Sequence, residues 1–502
     1  MYKNSNNLIY TASDLILYMR SQFASWMSRL EIENPDQLSG IEKDKDQMLA
    51  LLASQGIEHE SNYLETLKNQ FGPSNVIEIK QNDQSASATI QAMKDGYQVI
   101  FQAYLERDQF KGYADFLVRR EGKSAFGDYY YEAWDTKLSK STKPYFIIQL
   151  CCYSWMLESI QGKLPEETVI ILGTKELDRY RLARYFSYFL HLKQQFLEYQ
   201  NSFDANNMPD PALSSDYGCW GNYAKQLLEQ SDSLALVANI RKSQIQKLQE
   251  SGIYTLSELA HANPSKVSSL ATATATRLQA QAAIQLASRG KEKPLFEILA
   301  TDSGKGLSAL PSKSELDVYF DIEGHPLVDG GLEYLWGVSY EDSSASQGKA
   351  YAFRDWWAHT QEQEKQAFEG FIDWIYDRWK QDPAMHVYHY ASYEITAITK
   401  LVSRERTRQE QTKELLEAGV FIDLYKIVKS GLLIGEPKYS IKNVEHLYRD
   451  KRTTAVANGG ESVEVYERWR KNGGIQKWAI QDNPNLYTAP IVAFNSHGSH
   501  AT

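Results

Sequence analysis

Cysteine is scarce in this chain of 502 residues: there are three, and two of them, Cys151 and Cys152, are adjacent. So few cysteines exclude a disulfide framework and predict a reducing compartment. No apolar run approaches the roughly 18 residues that a membrane-spanning helix needs. The polar residues 1–7 contain no signal-peptide core. We therefore expect a cytoplasmic protein with no membrane partner.

Positive charge is also in short supply, with 54 Lys and Arg against 64 Asp and Glu and a net charge of −10. This balance argues against a simple basic protein that coats nucleic acid. It does not exclude an enzyme that uses acidic metal sites and local cations. Aromatic residues reach 12%, which suits large cores and base-stacking surfaces equally well.

The hydrophobic pattern predicts a multidomain α/β protein. Strand-like runs at 98–105, 112–118 and 129–137 precede a helix that starts near Pro144 and an apolar run at 168–173. Residues 230–295 have a helical pattern, and a second α/β pattern begins near 315. We expect domains at 1–228, 229–300 and 315–482, a linker at 301–314 and an irregular tail at 483–502.

A first acidic group lies on the predicted strands of the N-terminal part. Alternate residues of a strand share a face, so Asp135 and Lys137 point the same way, and Asp115 can approach from the neighbouring strand. Two carboxylates suit Mg²⁺ or Mn²⁺, and a lysine beside them stabilises charge on a phosphate. Gln149 and Tyr153, four residues apart on the next helix, share a face that could reach this site.

His59, in the long helical stretch further upstream, could supply a further metal ligand. Each of these signals is weak when it stands alone. An isolated D-x-K on a strand is usually solvated surface, and an isolated helical histidine is more often structural than a ligand. Their order along the chain is much harder to obtain by chance.

That order, together with Glu132 in an E-x-x-D-x-K pattern, resembles the RecB-like branch of the PD-(D/E)XK nucleases, which includes CRISPR-associated RecB-like exonucleases. The resemblance covers about residues 10–225 and implies a restriction-endonuclease-like core. It also implies a metal-dependent active site, whose members would be His59, Asp115, Asp135, Lys137, Gln149 and Tyr153.

Many relatives of that branch also bind an iron–sulfur cluster through four cysteines, one near the N-terminus and three after the nuclease core. The N-terminal region here offers Ser21 and no cysteine, and the later region offers only Cys219. We therefore expect no iron–sulfur cluster.

In the middle segment, the pattern from Leu248 through Gly252 to Ala260 resembles a helix-hairpin-helix element. The turn of such an element binds phosphate through backbone N–H groups. A generic helical hairpin explains the pattern equally well. Arg241, Lys242 and Lys247 make the segment modestly basic.

A second acidic group lies in the C-terminal part, where Asp321 and Glu323 share a strand face. Their carboxylates could converge on two metal ions about 4 Å apart. An isolated D-x-E is usually surface or turn. Here it precedes the segment from His389 to Glu394 and then Asp423.

This series resembles the DnaQ-like (DEDD) exonucleases and the YprB-type RNase H-like domain. The resemblance implies an RNase H-like fold over about 315–450, with Asp321, Glu323 and Glu394 as metal-binding catalytic residues. Such enzymes need a further Asp in a late helix. Asp482 is the candidate, while Asp450 has the spacing from His446 but comes early. Without that Asp, the site is incomplete.

Taken together, the sequence predicts a metal-dependent nuclease of the repair or recombination type that uses Mg²⁺ or Mn²⁺, with DNA rather than RNA as its nucleic acid. Relatives with this layout are often followed by a helicase, so a helicase is an expected partner. Two alternatives remain open: a non-catalytic nucleic-acid-binding protein with relic sites, and a 3′–5′ exonuclease that acts through the C-terminal domain alone.

Overall fold

Two structural units share the chain in the computed structural model: Met1–Leu227, and a second unit that begins at Leu228. The structure describes residues 1–5, 7–44, 47–82, 84–214, 216–300, 304–326, 328, 330–342, 350–449 and 459–471. In this described part, no helix combines the length and the apolar character needed to cross a membrane.

The first unit is built on a six-stranded sheet of order β3-β4-β5-β6-β7-β8, beside a small β1–β2 hairpin. Its strands are β1 (Tyr2–Asn4), β2 (Asn7–Ile9), β3 (Val76–Glu78), β4 (Val99–Arg107), β5 (Phe110–Ser124), β6 (Gly127–Lys137), β7 (Glu167–Leu172) and β8 (Leu177–Arg181). Its helices are α1 (Ala12–Arg20), α2 (Gln22–Glu33), α3 (Gln47–Phe71), α4 (Ser85–Asp95), α5 (Pro144–Gln161), α6 (Phe186–Asn201) and α7 (Gly221–Gln230), the last of which runs into the second unit.

Strands β4, β5 and β6 form an antiparallel meander, and β7 then joins β6 in parallel. A parallel neighbour requires a crossover, which α5 supplies. The three predicted strands, the predicted helix from Pro144 and the predicted apolar strand all form. The restriction-endonuclease-like identity of this core stays a prediction.

The two faces of this sheet are covered by different helices. Helix α5 packs on one face and is buried on almost every side, which explains why its sequence is apolar well beyond one stripe. Leu64 and Leu67 of α3 pack on the other face against Phe116 and Trp134. Polar side chains near the strand ends therefore lie between two apolar layers.

The second unit contains a five-stranded sheet of order β12-β11-β10-β13-β14 and a two-stranded ladder of β9 with β15. The strands are β9 (Phe296–Ile298), β10 (Val318–His325), β11 (Leu332–Asp342), β12 (Ala350–Trp357), β13 (Val387–His389), β14 (Phe421–Asp423) and β15 (Leu432–Ile434). The helices are α8 (Lys242–Glu250), α9 (Leu256–His261), α10 (Thr272–Ser288), α11 (Gln361–Gln381), α12 (Tyr393–Glu405), α13 (Gln409–Glu417), α14 (Leu424–Gly431), α15 (Ile441–Glu445) and α16 (Gly459–Lys471).

Strands β10, β11 and β12 form an antiparallel meander, whereas β13 lies parallel to β10 and β14 parallel to β13. An apolar stripe of α11 is buried at Phe368, Phe371, Ile372 and Ile375. This stripe packs against the sheet and fixes β10 at its centre.

The predicted middle segment belongs to the second unit. Strand β9 pairs with β15, and the Gln281 side chain of α10 donates a 2.9 Å hydrogen bond to the Ile434 carbonyl. The predicted linker is packed as well. A Cβ atom on Gly431 would lie 2.7 Å from the Leu307 backbone nitrogen. The division into three separate domains and a tail stays a prediction, and residues 483–502 lie outside the described residues.

Candidate active sites

The first predicted acidic group lies where β5 separates from β6. Phe116 and Trp134 are the last paired residues of the two strands, so Asp115 and Asp135 come next at opposing positions. The backbone N–H and the hydroxyl of Thr136 each donate a 2.8 Å hydrogen bond to Asp115 Oδ2. Asp115 is therefore fixed by the strand that carries Asp135.

Lys137 lies on the same face as Asp135 and forms an ion pair with Asp135 Oδ2. Burial, together with the nearby Asp115 carboxylate, raises the pKa of Asp135 to about 7, although Lys137 opposes the shift. Burial by itself would lower the pKa of Lys137, but Asp135 and Asp115 raise it above the ordinary value. A charged lysine thus sits beside a carboxylate that is costly to ionise.

The predicted support from the following helix reaches this site. Gln149 Nε2 of α5 donates to Asp135 Oδ1 at 3.2 Å and to the Tyr153 hydroxyl at 3.3 Å. The Tyr153 ring covers Gly112, where an added Cβ would lie 3.1 Å from Tyr153 Cε1. Burial and then Asp135 raise the pKa of Tyr153 above its usual range, so the phenol stays neutral.

Glu60 of α3, which was not among the predicted site residues, faces the same carboxylates. Burial and then Asp115 raise its pKa to about 7. It accepts a hydrogen bond from Gln102 Nε2. Gln102 lies on β4 between the partners of Phe116 and Ala114 and has a left-handed φ of 54°. The sequence signal for Glu60 was its position directly after His59, a predicted site residue on the same helix.

His59 itself is buried on α3, and its Nε2 has no hydrogen-bond partner among the described residues. Within the described structure, no hydrogen bond or ion pair joins it to Asp115 or Asp135. Its role as a metal ligand stays a prediction. Glu132, from the resemblance pattern, lies on the opposite face of β6 and pairs with Arg120 at 2.9 Å.

Replacing Glu60 with Gln should stabilise the metal-free protein at neutral pH. Glu60 has a raised pKa in the folded state, so its ionisation costs folding free energy as pH rises from about 4.5 to about 7. The advantage of the Gln variant should therefore be small near about pH 5 and reach on the order of 2 kcal/mol near about pH 8. Urea unfolding in EDTA at both pH values measures it.

Glu58→Gln is the matched control, because Glu58 is exposed on the same helix. A Glu60→Gln advantage that does not change with pH, or that Glu58→Gln reproduces, would contradict the placement of Glu60 among the carboxylates.

The chemistry of this group suits a hard divalent cation. The Asp115 carboxylate helps to raise the pKa of both Glu60 and Asp135, Asp135 also raises that of Glu60, and Lys137 supplies one positive charge nearby. A bound divalent ion would offset the remaining repulsion. As the side chains stand, no three His, Cys, Asp or Glu groups in the described ranges are arranged to hold a metal, and Lys137 pairs with the Asp135 oxygen instead.

The second predicted acidic group lies at the centre of the other sheet. Asp321 and Glu323 are on β10, and Glu394 is in the first turn of α12. Burial, then Glu323 and then Glu394 raise the pKa of Asp321 well above its usual range. The three predicted carboxylates are therefore close enough to interact. His389 Nδ1 lies 3.5 Å from Glu394 Oε2.

Two residues that were not among the predicted site residues border this second group: Tyr393, from the segment that leads to Glu394, and Glu333 of β11. The Tyr393 hydroxyl donates a 2.7 Å hydrogen bond to Glu333 Oε2. Both groups occupy the space that a Cβ atom at Gly324 would need, which explains the glycine after Glu323. Burial, followed by Glu333 and Glu323, raises the pKa of Tyr393 above its usual range.

Asp423, the third element of the series, has a structural task. It lies opposite His389 in the β13–β14 pair, and its Oδ1 accepts 3.0 Å hydrogen bonds from the Ala391 and Tyr425 backbone N–H groups. It thereby begins helix α14 and fixes the segment that leads to Glu394. The candidates for the late Asp, Asp482 and Asp450, lie outside the described residues.

In the turn between α8 and α9, the backbone N–H groups of residues 251–255 all have hydrogen-bond partners within the hairpin, so none is free to bind phosphate. The amides of residues 251–253 donate to carbonyls of α8, and those of Tyr254 and Thr255 donate to the Glu258 carboxylate at 2.7 and 3.0 Å. This pairing favours the generic helical hairpin, and the phosphate-binding turn stays a prediction.

In the RecB-like branch that the sequence resembles, two regions carry the cysteines that bind the iron–sulfur cluster. The corresponding regions of this chain contact each other through other side chains. The Ser21 hydroxyl donates a 3.0 Å hydrogen bond to Ser214 Oγ. Trp220 packs with Phe23 and Met27 of α2. Apolar packing and one hydroxyl pair therefore join these segments.

Comparison with known families matches one part of the chain. Residues 318–487 match the RNase_H_2 family model of the RNase H superfamily. No curated protein matches the chain. The match begins at β10 and confirms an RNase H-like C-terminal domain. Members of this superfamily are generally nucleases that act on nucleic acid, and they typically use divalent metal ions. The match covers about a third of the chain and does not reach the first unit, so the RecB-like assignment stays a prediction.

Proposed function

We propose that the protein is a divalent-metal-dependent nuclease that hydrolyses phosphodiester bonds, with DNA as its expected substrate and the first unit as its principal catalytic part. The observation that carries this proposal is the strand fork of the first sheet. There Asp115 and Asp135 oppose each other, and Lys137 pairs with Asp135.

In this proposal Asp115 and Asp135 hold Mg²⁺ or Mn²⁺, ions that prefer carboxylate oxygens. The ion, when bound, polarises the phosphate and activates water. Thr136 keeps Asp115 in place, and Gln149 orients Asp135. Lys137 keeps its proton because two carboxylates adjoin it, so it can stabilise negative charge on the phosphate.

A second candidate function is 3′–5′ exonuclease activity of the C-terminal domain. It is supported by the RNase H superfamily match at 318–487 and by the interaction of Asp321 with Glu323 and Glu394. These three carboxylates would hold the ions in that case, and Tyr393 would border the site. The repair setting and the helicase partner follow from the resemblance, and the cytoplasmic location follows from the composition of the chain; all three stay predictions.

The test is cleavage by the full-length protein of end-labelled single- and double-stranded DNA and RNA. We expect cleavage with Mg²⁺ or Mn²⁺ and none in EDTA. Internal products indicate an endonuclease, and stepwise shortening from one end indicates an exonuclease of that polarity. Binding without turnover in either metal would contradict the proposal and support a non-catalytic binding protein.

A further inference from the structure

A cleft in the second unit runs between the middle helices and α14, with a volume of about 870 Å³. Four cations line it: Arg241 before α8, Arg277 on α10, and Lys426 and Lys429 on α14. None of the fourteen described residues that line it is Asp or Glu. In a chain with a net charge of −10, this is a local concentration of positive charge.

These cations are available to a ligand. Lys426 makes a 3.5 Å ion pair with Asp423, while among the described residues Arg241, Arg277 and Lys429 form no ion pair. Arg277 instead donates a 2.6 Å hydrogen bond to the Lys429 carbonyl, which joins the two walls of the cleft. The walls are therefore fixed, and three of the four charges are uncompensated.

The helix that lines one wall of the cleft begins beside the second carboxylate group. Asp423, which pairs with the His389 position, begins α14, and the cleft residues Tyr425, Lys426 and Lys429 follow on that helix. His389 Nδ1 lies 3.5 Å from Glu394 Oε2, so the start of α14 is next to the strand end that leads to the carboxylates.

Tyr425 gives the cleft an aromatic side chain as well. Its ring is half-buried, with the Lys429 ammonium 5.2 Å from the ring centroid. Cations that follow a phosphate backbone, combined with an aromatic ring on which a base can stack, are typical of surfaces that bind single strands.

We propose that this cleft binds the phosphate backbone of a single-stranded stretch of nucleic acid and leads it toward Asp321, Glu323 and Glu394. The proposal rests on the nucleic-acid function proposed above and deepens it, since it specifies a single strand and the surface that holds it.

The experiment is fluorescence anisotropy of a labelled single-stranded DNA oligonucleotide of mixed sequence, titrated with full-length protein in EDTA over a range of salt. The double variant Arg241→Gln, Lys429→Gln removes two cations of the cleft. Each lost phosphate contact lowers the salt slope by about 0.7. We expect a slope smaller by about 1.4 and an affinity lower by on the order of tenfold at about 0.1 M salt.

The control is Lys266→Gln, Lys413→Gln, which removes the same charge from exposed positions of the second unit outside the cleft. Both double variants should unfold at the temperature of the wild type. Wild-type affinity in the cleft variant, an equal loss in the control, or a loss seen only with duplex would overturn the proposal.

Because EDTA removes turnover from the measurement, the result does not depend on hydrolysis. Loss of strand binding in the cleft variant of a protein that never cuts still supports the cleft, and it is the nuclease proposal that then fails. If the cleft variant still cleaves and binds the strand as tightly as the wild type, the cleft proposal fails and the nuclease proposal stands.

Discussion

Replacing Asp135 with Asn should lower metal-dependent cleavage by on the order of a thousandfold, since a bound ion contributes several kcal/mol of transition-state stabilisation. Asp135 opposes Asp115, pairs with Lys137 and accepts from Gln149, so the substitution removes one metal-binding carboxylate and the partner of the lysine. Cleavage of end-labelled DNA under single-turnover conditions with Mn²⁺ measures the change.

The fold should survive this substitution. Asn has the shape of Asp, and the Asp135 carboxylate is costly to ionise where it stands, as its raised pKa of about 7 indicates. Asp128→Asn is the matched control, because Asp128 is exposed on the same strand and far along it from the fork. Cleavage by a folded Asp135→Asn protein at the rate of the control would remove the first unit from catalysis.

Replacing Asp321 with Asn distinguishes the catalytic contribution of the second unit from that of the first. We expect cleavage that depends on Asp135 to be unchanged. In the Asp135→Asn protein, the added Asp321→Asn change should remove the remaining release of 3′-terminal nucleotides, again by on the order of a thousandfold. Glu323 and Glu394 both oppose the ionisation of Asp321. A cation held at Asp321 would offset that repulsion, so its loss should remove this activity. Release from 3′-labelled single strands measures it.

Asp377→Asn is the control here, since Asp377 is exposed on α11. Because the pKa of Asp321 is raised, its ionisation costs stability as pH rises through its ordinary range, so Asp321→Asn should not unfold the metal-free protein. If Asp321→Asn loses all cleavage and Asp135→Asn keeps full activity, catalysis must be assigned to the C-terminal domain instead of the first unit.

Much of the arrangement of the first candidate site was predictable because its signals are local. Alternation along β6 puts Asp135 and Lys137 on one face, and the four-residue spacing puts Gln149 and Tyr153 on one face of α5. The structure then adds the contacts of these residues. In the second unit, Asp321 and Glu323 of the D-x-E pattern likewise lie near Glu394, and both Glu side chains raise the pKa of Asp321.

The missing part of the first site comes from a distant helix. Neighbouring residues of a helix point about a quarter-turn or more apart, so whether His59 or Glu60 faces Asp115 depends on how α3 is rotated on the sheet. The structure couples Glu60 to the carboxylates and leaves His59 buried without a partner for its Nε2. No spacing rule within the sequence fixes that rotation.

The basic cleft shows the same limit on a larger scale. Its four cations come from Arg241, Arg277, Lys426 and Lys429, which are separated by up to 188 positions, and the overall charge of the chain is negative. Charge counts average over the whole surface, whereas packing of α14 against the middle helices decides which cations share one cleft.

By itself, the sequence determined which residues share a strand or a helix face, because side-chain direction within an element follows from backbone periodicity. The tertiary structure alone decided which elements meet: α3 with the strand fork, Tyr393 with Glu333 over Gly324, and the middle helices with α14. Those meetings depend on apolar packing summed over whole layers, which no local pattern specifies.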